Sequence, residues 1–379
     1  MKKKIIFFSI VLLIISITII VYSGLDPAII NEEDLNSKLN GAKLHSIATD
    51  LIFQHIDSTG NIWATAGYSI YFKPYDRNEY RRIKRLNIPF GEELFGHFRY
   101  LRNMFNVQES LELMITKEGT IIVFAAGYIY RSADSGRSIQ RVHKMENFGR
   151  GIGRGIMPQG YTEDAKGNIY WGEYFRNPER EVVRVWKSNN DGIDWKIAYE
   201  FEPGSIRHIH SVQYDKISDK IWLTTGDADP ECSIGYLDGN EYIKIGEGSK
   251  KWVAVSLVFD KDYIYWGTDG KSAEYPENHI VRWSRSKAET EIIATIDSDA
   301  FYSAKGDSCY VITTDGKGDG GSIWISRDGL NWEKAISWPE YRDNRHGVIR
   351  VTHKEKCTFY ITKINLGDGA VKTKKILLN

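Results

Sequence analysis

Asn168-Ile169-Tyr170-Trp171-Gly172 follows a glycine turn, is built of β-branched and aromatic residues, and is too short for a helix, so it reads as one β-strand of a small sheet. The chain repeats it. Equivalent phrases begin at Asn61, Thr120, Lys220, Tyr263, Ser308 and Cys357, about 50 residues apart. Most are followed by a turn rich in Ser, Asn, Asp, Gly and Trp. The unit around Asn168 holds four strand-like segments, at 160–164, 169–172, 182–188 and 195–199. That is the length of one four-stranded antiparallel sheet.

Sheets of this size cannot bury both faces alone, and stacking them radially solves the problem, so the repeat predicts an all-β fold, a β-propeller of seven blades, with six as the alternative. About 350 residues without a Pro/Ser/Gly-rich linker fit one ring better than two or three separate domains. Aromatics make up 13% of the chain and suit flat contacts between blades. The last unit supplies only three strands, and Leu44–Thr49 is placed to provide the fourth and close the ring. Residues 42–379 are thus the propeller.

The amino terminus reads differently. Lys2, Lys3 and Lys4 precede an uncharged stretch, Ile5–Leu25, long enough as a helix to span a hydrocarbon core of about 30 Å. Residues 1–25 are therefore expected to be a transmembrane signal anchor, with residues 26–41 a polar tether and the propeller outside the cytoplasm. Secretion after signal cleavage is the alternative. Fifty basic and fifty acidic residues leave no overall field to attract nucleic acid. Cys232, Cys309 and Cys357 fit no zinc spacing and read as buried free thiols. The 90–108 stretch, rich in aromatics and Arg, is an insertion between the first two units and reads as a lid or a blade cover.

Three turns carry a resemblance. Ser188-Asn189-Asn190-Asp191-Gly192-Ile193-Asp194-Trp195 resembles the Asp-box of the bacterial neuraminidase repeat, and Ser132-Ala133-Asp134-Ser135-Gly136 and Ser326-Arg327-Asp328-Gly329-Leu330-Asn331-Trp332 are shorter or altered versions of it. Side-chain hydrogen bonds, a positive-φ glycine and a packed Trp explain such a turn without a ligand. The resemblance to the sialidase superfamily implies a glycan as partner. It also implies Tyr302 as nucleophile, Glu173 as its activating base, and Arg154, Arg207 and Arg345 as carboxylate binders. Asn87-Ile88-Pro89 lacks the Arg of the sialidase Arg-Ile-Pro motif.

In a propeller, the loops leading into each inner strand and the loops between second and third strands share one face. Sorted by that rule, Arg207, His208, His210, Trp252, Tyr302 and Arg345 fall beside Glu173, Asp227, Asp229 and Asp269. Cations, acids and aromatics on one face suit an anionic carbohydrate, with Trp252 and Asp269 as further ligand contacts. His208 and His210 stand two apart on a strand and point together, as two ligands of a divalent metal would. Here the sequence is similar to oligogalacturonate lyases, which implies Gln213 and a third His, His346, as further ligands. The expected function is recognition of an anionic glycan or cell-surface polymer, with sialidase-like cleavage as its enzymatic form. A noncatalytic scaffold and a metal-dependent polysaccharide lyase are the alternatives.

Overall fold

The computed structural model describes residues 9–14, 16, 29–39, 42–49, 51–77, 79–88, 111–148, 155–315, 320–339, 347–364 and 372–378. Among them the chain forms six four-stranded antiparallel sheets, each built of successive hairpins, and one sheet of five strands. The first blade runs from Ile52–Ile56 to Arg81–Arg85, the second from Leu111–Ile115 to Gln140–Lys144, and the third from Tyr161–Glu163 to Lys196–Phe201. The fourth runs from Ile209–Asp215 to Glu241–Glu247, the fifth from Val258–Phe259 to Thr290–Ile296, and the sixth from Ala300–Lys305 to Glu333–Trp338. This is a β-propeller with six regular blades.

The seventh sequence unit departs from that plan. Its strands Val348–Glu355, Thr358–Ile364 and Lys372–Leu378 are extended by Ala42–Thr49, which pairs with Lys372–Leu378. Ile29–Leu39 then pairs with Ala42–Thr49 as a fifth strand. The amino-terminal strand therefore closes the ring as expected. The stretch read as a tether, in contrast, contributes a strand, because its backbone groups find an open sheet edge to pair with. Among the described residues no helix is long and apolar enough to cross a membrane. Residues 9–14 and 16 are helical, and the rest of Ile5–Leu25, like the 90–108 insertion, lies outside the described residues.

The core is a set of slabs between blades. Tyr170, Val183 and Val185 of the third blade meet Ile209, Val212 and Leu223 of the fourth, and Trp222 and Ile234 of the fourth meet Trp266 and Val281 of the fifth. Phe53 of the first blade packs at a tilt against Tyr360 of the closing sheet, with ring centroids 4.7 Å apart. Each strand phrase is buried because both faces of its sheet are covered, which is why the phrases read as nearly continuous apolar runs. The fit is close. A Cβ on Gly172 would come within 2.7 Å of Ile209 and 2.8 Å of Val212 in the next blade.

The three Ser-turns hold themselves together. Ser132 Oγ donates to Asp134 Oδ1 at 2.8 Å and accepts from Gly136 N at 2.9 Å, and Ser326 does the same with Asp328 and Gly329 at 3.0 and 2.9 Å. In the third blade Asn190 fills the Asp position, taking Ser188 Oγ at 2.9 Å and Asp194 N at 3.0 Å. Asp191 is thereby released for another task, at a left-handed φ of 57°. It accepts from Thr116 Oγ1 at 2.9 Å, from Thr120 Oγ1, and from Arg131 Nη2 at 2.7 Å, all in the second blade. Asp191→Ala is expected to lower stability by about 1–3 kcal/mol by stripping these charge-assisted bonds from the blade interface. Urea unfolding checks it, and an unchanged midpoint would remove Asp191 from the interface energetics.

Two of the cysteines correct the free-thiol reading. Cys309 and Cys357 form a disulfide with Cα atoms 5.9 Å apart, joining the sixth blade to the closing sheet. They occupy matching places in successive repeats, and radial stacking superposes those places. Cys232 remains free and buried. Denatured protein should titrate one thiol before reduction and three after it. Reduction should lower stability by about 2–4 kcal/mol, because the bridge closes a loop with a sequence separation of 48. Three thiols without reductant would refute the bridge.

Candidate metal and ligand site

The strand Ile209–Asp215 is the innermost of the fourth blade, and the loop leading into it places Arg207 and His208 at the channel mouth. His210 is the second residue of that strand and points to the same side as His208. The loop after Lys220–Thr225 returns to the same mouth with Asp227, whose backbone adopts φ 106°, a conformation that costs a non-glycine residue on the order of 1–3 kcal/mol. That strain is offset by what the carboxylate reaches. His208 Nε2 is 3.5 Å from Asp227 Oδ2, His210 Nε2 is 3.4 Å from Oδ1, and Arg207 Nη1 lies 2.6 Å from Oδ2.

The two imidazoles are 5% and 3% exposed, and their Nε2 atoms stand 3.1 Å apart. His208 Nδ1 faces the Phe175 carbonyl at 3.2 Å. A carbonyl only accepts, so Nδ1 carries the proton and the neutral ring keeps its lone pair on Nε2. Burial holds His208 below the ordinary histidine value despite Asp227 beside it. Burial also presses on His210, but Asp227 and Asp269 outweigh it and leave the ring above its ordinary value. The same two imidazoles, against the penalty of burial, keep Asp227 firmly ionised. Asp269, from the loop after Tyr263–Gly267, stands behind His210 with Oδ2 4.0 Å from Nδ1. Burial, reinforced by Asp299, Asp227 and Asp315, pushes its carboxyl up to about 7 although His210 pulls the other way. Tyr174 covers the pair, its ring centroid 4.1 Å from that of His208.

Three donors thus converge from one strand and two loops. His208, His210 and Asp227 offer ligand atoms within 4.8 Å of one another. Cis ligands of an octahedral ion with bonds of about 2.1 Å are about 3.0 Å apart, close to the spacings here. Two imidazoles and one carboxylate suit a divalent transition ion better than Ca²⁺ or Mg²⁺, and the Phe175 carbonyl gives His208 the outer support that metal-bound histidines use, while Asp269 stands behind His210 at 4.0 Å without a hydrogen bond to it. The residues fit a cation.

Of the sequence-derived candidates, the structure brings together Arg207, His208, His210 and Asp269. Arg154, Arg345 and His346 lie outside the described residues. Gln213 is not a ligand: its amide donates to Leu257 O at 3.0 Å and accepts from Leu257 N at 2.7 Å, tying the fourth blade to the fifth. Trp252 packs between those blades, stacked on Trp266 at 5.6 Å. Glu173 is 2% exposed and accepts from Trp186 Nε1 at 3.1 Å and Arg184 N at 3.0 Å, so its carboxylate serves its own blade. Burial raises that carboxyl even so. Tyr302 is 3% exposed in the apolar cluster of Ile52, Val255 and Val348. Asp227 falls on this face by its place in the sequence, but the sequence reading does not include it among the ligands. A signal existed, since an acid follows the strand phrase at Gly226-Asp227 and again at Gly267-Thr268-Asp269.

No family model and no curated protein sequence matches the chain. Solved structures do. An oligogalacturonate lyase in complex with manganese aligns over 94% of this chain and 97% of its own, at 8% identity and a TM-score of 0.61. A GH74 enzyme of Niastella koreensis aligns over 85% of this chain at 13% identity and a TM-score of 0.55. The extracellular domain of a putative hybrid two-component system from B. thetaiotaomicron aligns over 91% at 11% identity and a TM-score of 0.53. The chain spans 53% of the GH74 enzyme and 39% of the two-component domain. At these identities the likeness is one of fold, a β-propeller shared with carbohydrate-active enzymes.

Proposed function

We propose that the channel mouth holds a divalent cation on His208, His210 and Asp227 and uses it to bind the carboxylates of an acidic glycan, as a metal-dependent polysaccharide lyase. The observation that carries the reading is the convergence of three buried or half-buried donors on one point, with Arg207 and Lys250 held beside them. Bound there, the cation would withdraw electrons from a uronate carboxylate and acidify the ring proton next to it, which β-elimination requires. The protein's own groups position the sugar. Arg207 keeps further N–H donors for an anion beyond its bond to Asp227. Lys250 Nζ donates to the Asp227 carbonyl, fixing the strained loop and adding a second positive charge. Tyr174 covers the histidines and limits access of water to them.

The oligogalacturonate lyase neighbour binds manganese, and that supports the cation. A sialidase-like hydrolase built on Tyr302 and Glu173 draws no comparable support, because the Glu173 carboxylate is committed to Trp186 and Arg184. Location outside the cytoplasm, anchored by Ile5–Leu25, belongs to the same proposal and is supported by the Cys309–Cys357 disulfide, a bond that persists in oxidising compartments.

The test is Mn²⁺ binding by equilibrium dialysis, joined to incubation with polyuronates while the ultraviolet absorbance of an unsaturated uronate product is followed. One ion per chain and EDTA-sensitive product formation are expected. Glycan binding with no product would assign a noncatalytic scaffold. Failure to bind any divalent ion would sink the reading.

A further inference from the structure

A cleft of about 520 Å³ opens between the third and fourth blades, lined by Lys166, Lys187, Lys196, Tyr170, Tyr214 and Leu237 among others. Its walls are turns between first and second strands and between third and fourth strands, so it lies at the opposite end of the propeller from His208 and His210. Lys187 and Lys196 are direct partners across neighbouring strands, in the same row as Tyr170. Like charges placed opposite one another in a ladder are destabilising unless something neutralises them.

No described carboxylate pairs with either ammonium group. The aspartates of the cleft hydrogen-bond elsewhere, and four lysines against three aspartates leave it a net positive charge. Asp164 accepts from Lys166 N at 2.8 Å and from Asn168 N and Nδ2 at 2.9 and 2.7 Å. Asp219 accepts from Tyr214 OH at 2.7 Å, and Asp238 from Lys220 Nζ at 2.7 Å. Among the described residues none of the Lys166, Lys187 and Lys196 ammonium groups forms an ion pair. Lys187 lies over the Tyr170 ring at 5.1 Å, leaving the outward side of its charge open. Beside these charges, the half-buried Ala198 and Leu237 add a small apolar edge to the cleft.

We propose that this cleft is a second, cation-independent binding site for an acidic polysaccharide, in which Lys166, Lys187 and Lys196 pair with the carboxylates of successive uronate residues. The choice of ligand rests on the acidic-glycan reading of the channel mouth, whereas the site itself does not use the metal. A chain held at both ends of the propeller would stay with the protein between encounters at the mouth, the gain expected from two linked sites.

The experiment uses a fluorescent oligogalacturonate with the whole protein in EDTA, which silences the channel-mouth cation. Salt-sensitive binding is expected, weakened at least tenfold in Lys187→Ala/Lys196→Ala and retained in Lys187→Arg/Lys196→Arg. The alanine pair should unfold at the same temperature as wild type or higher, since a repulsion is removed. Absence of binding in EDTA, or equal binding by the alanine pair, would overturn the proposal. So would displacement of the probe by inorganic phosphate at equal concentration, which marks simple anion adsorption, or binding of a heparin oligosaccharide without binding of the uronate. His210→Gln should remove only the EDTA-sensitive component, so failure of the channel-mouth reading leaves this test intact.

Discussion

Glu112→Ala is expected to destabilise the entire propeller by about 3–5 kcal/mol, the cost of leaving a buried cation without its partner. Arg350, on the first strand of the closing sheet, reaches Glu112 of the second blade with Nη2 2.6 Å from Oε1 and Nη1 3.1 Å from Oε2. The two residues are 5% and 3% exposed, so water screens neither. Between them stands the first blade, and its Gln54 joins the contact, with Oε1 3.4 Å from Arg350 Nη1 and Nε2 3.0 Å from both Leu111 O and Thr65 Oγ1. One side-chain network therefore crosses the seam where the chain's two ends meet and the interface beyond it. Guanidinium unfolding of Glu112→Ala, Arg350→Met and Glu112→Leu/Arg350→Met gives the result. The double variant should recover most of the loss, since an apolar pair carries no stranded charge. A loss below about 1 kcal/mol in Glu112→Ala would show that the ring closes without this pair.

The second large effect is at the cation site. His210→Gln keeps the volume of a buried side chain while removing an imidazole donor, and it should weaken Mn²⁺ binding by more than 100-fold, about 2.7 kcal/mol or more at 1.36 kcal/mol per tenfold. Asp269→Asn leaves all three donors in place and alters only the carboxyl 4.0 Å behind His210, which makes no hydrogen bond to it, so a smaller loss, below about tenfold, is expected. Equilibrium dialysis measures both, with thermal unfolding as the control for folding. Wild-type affinity in both variants would move any cation elsewhere. Loss of product formation in parallel with loss of metal would join the ion to the chemistry.

Local chemistry made much of this protein legible before any coordinates. The strand phrases, the antiparallel blade grammar and the self-bonded turns at Ser132, Ser188 and Ser326 depend on residues within a few positions of each other, which a sequence displays directly. Even the grouping of Arg207, His208, His210 and Asp269 on one face followed from strand alternation, because in an antiparallel sheet successive connections must emerge at opposite ends.

The partners of those residues were set by the ring. Glu173 and Trp252 look like site residues by position, yet Trp186 and Trp266 claim them, and Gln213 is taken by Leu257 of the next blade. Asp191 looks like a turn residue and is an inter-blade staple. The Cys309–Cys357 bridge, the Arg350–Glu112 pair and the fifth strand Ile29–Leu39 join segments separated by many residues, and nothing local marks them. By itself the sequence determined the repeat, the strands and the face on which polar loops gather. Tertiary structure alone decided which polar groups were spent and which remained for chemistry, since that depends on what the neighbouring blade presents when radial stacking brings it within hydrogen-bonding distance.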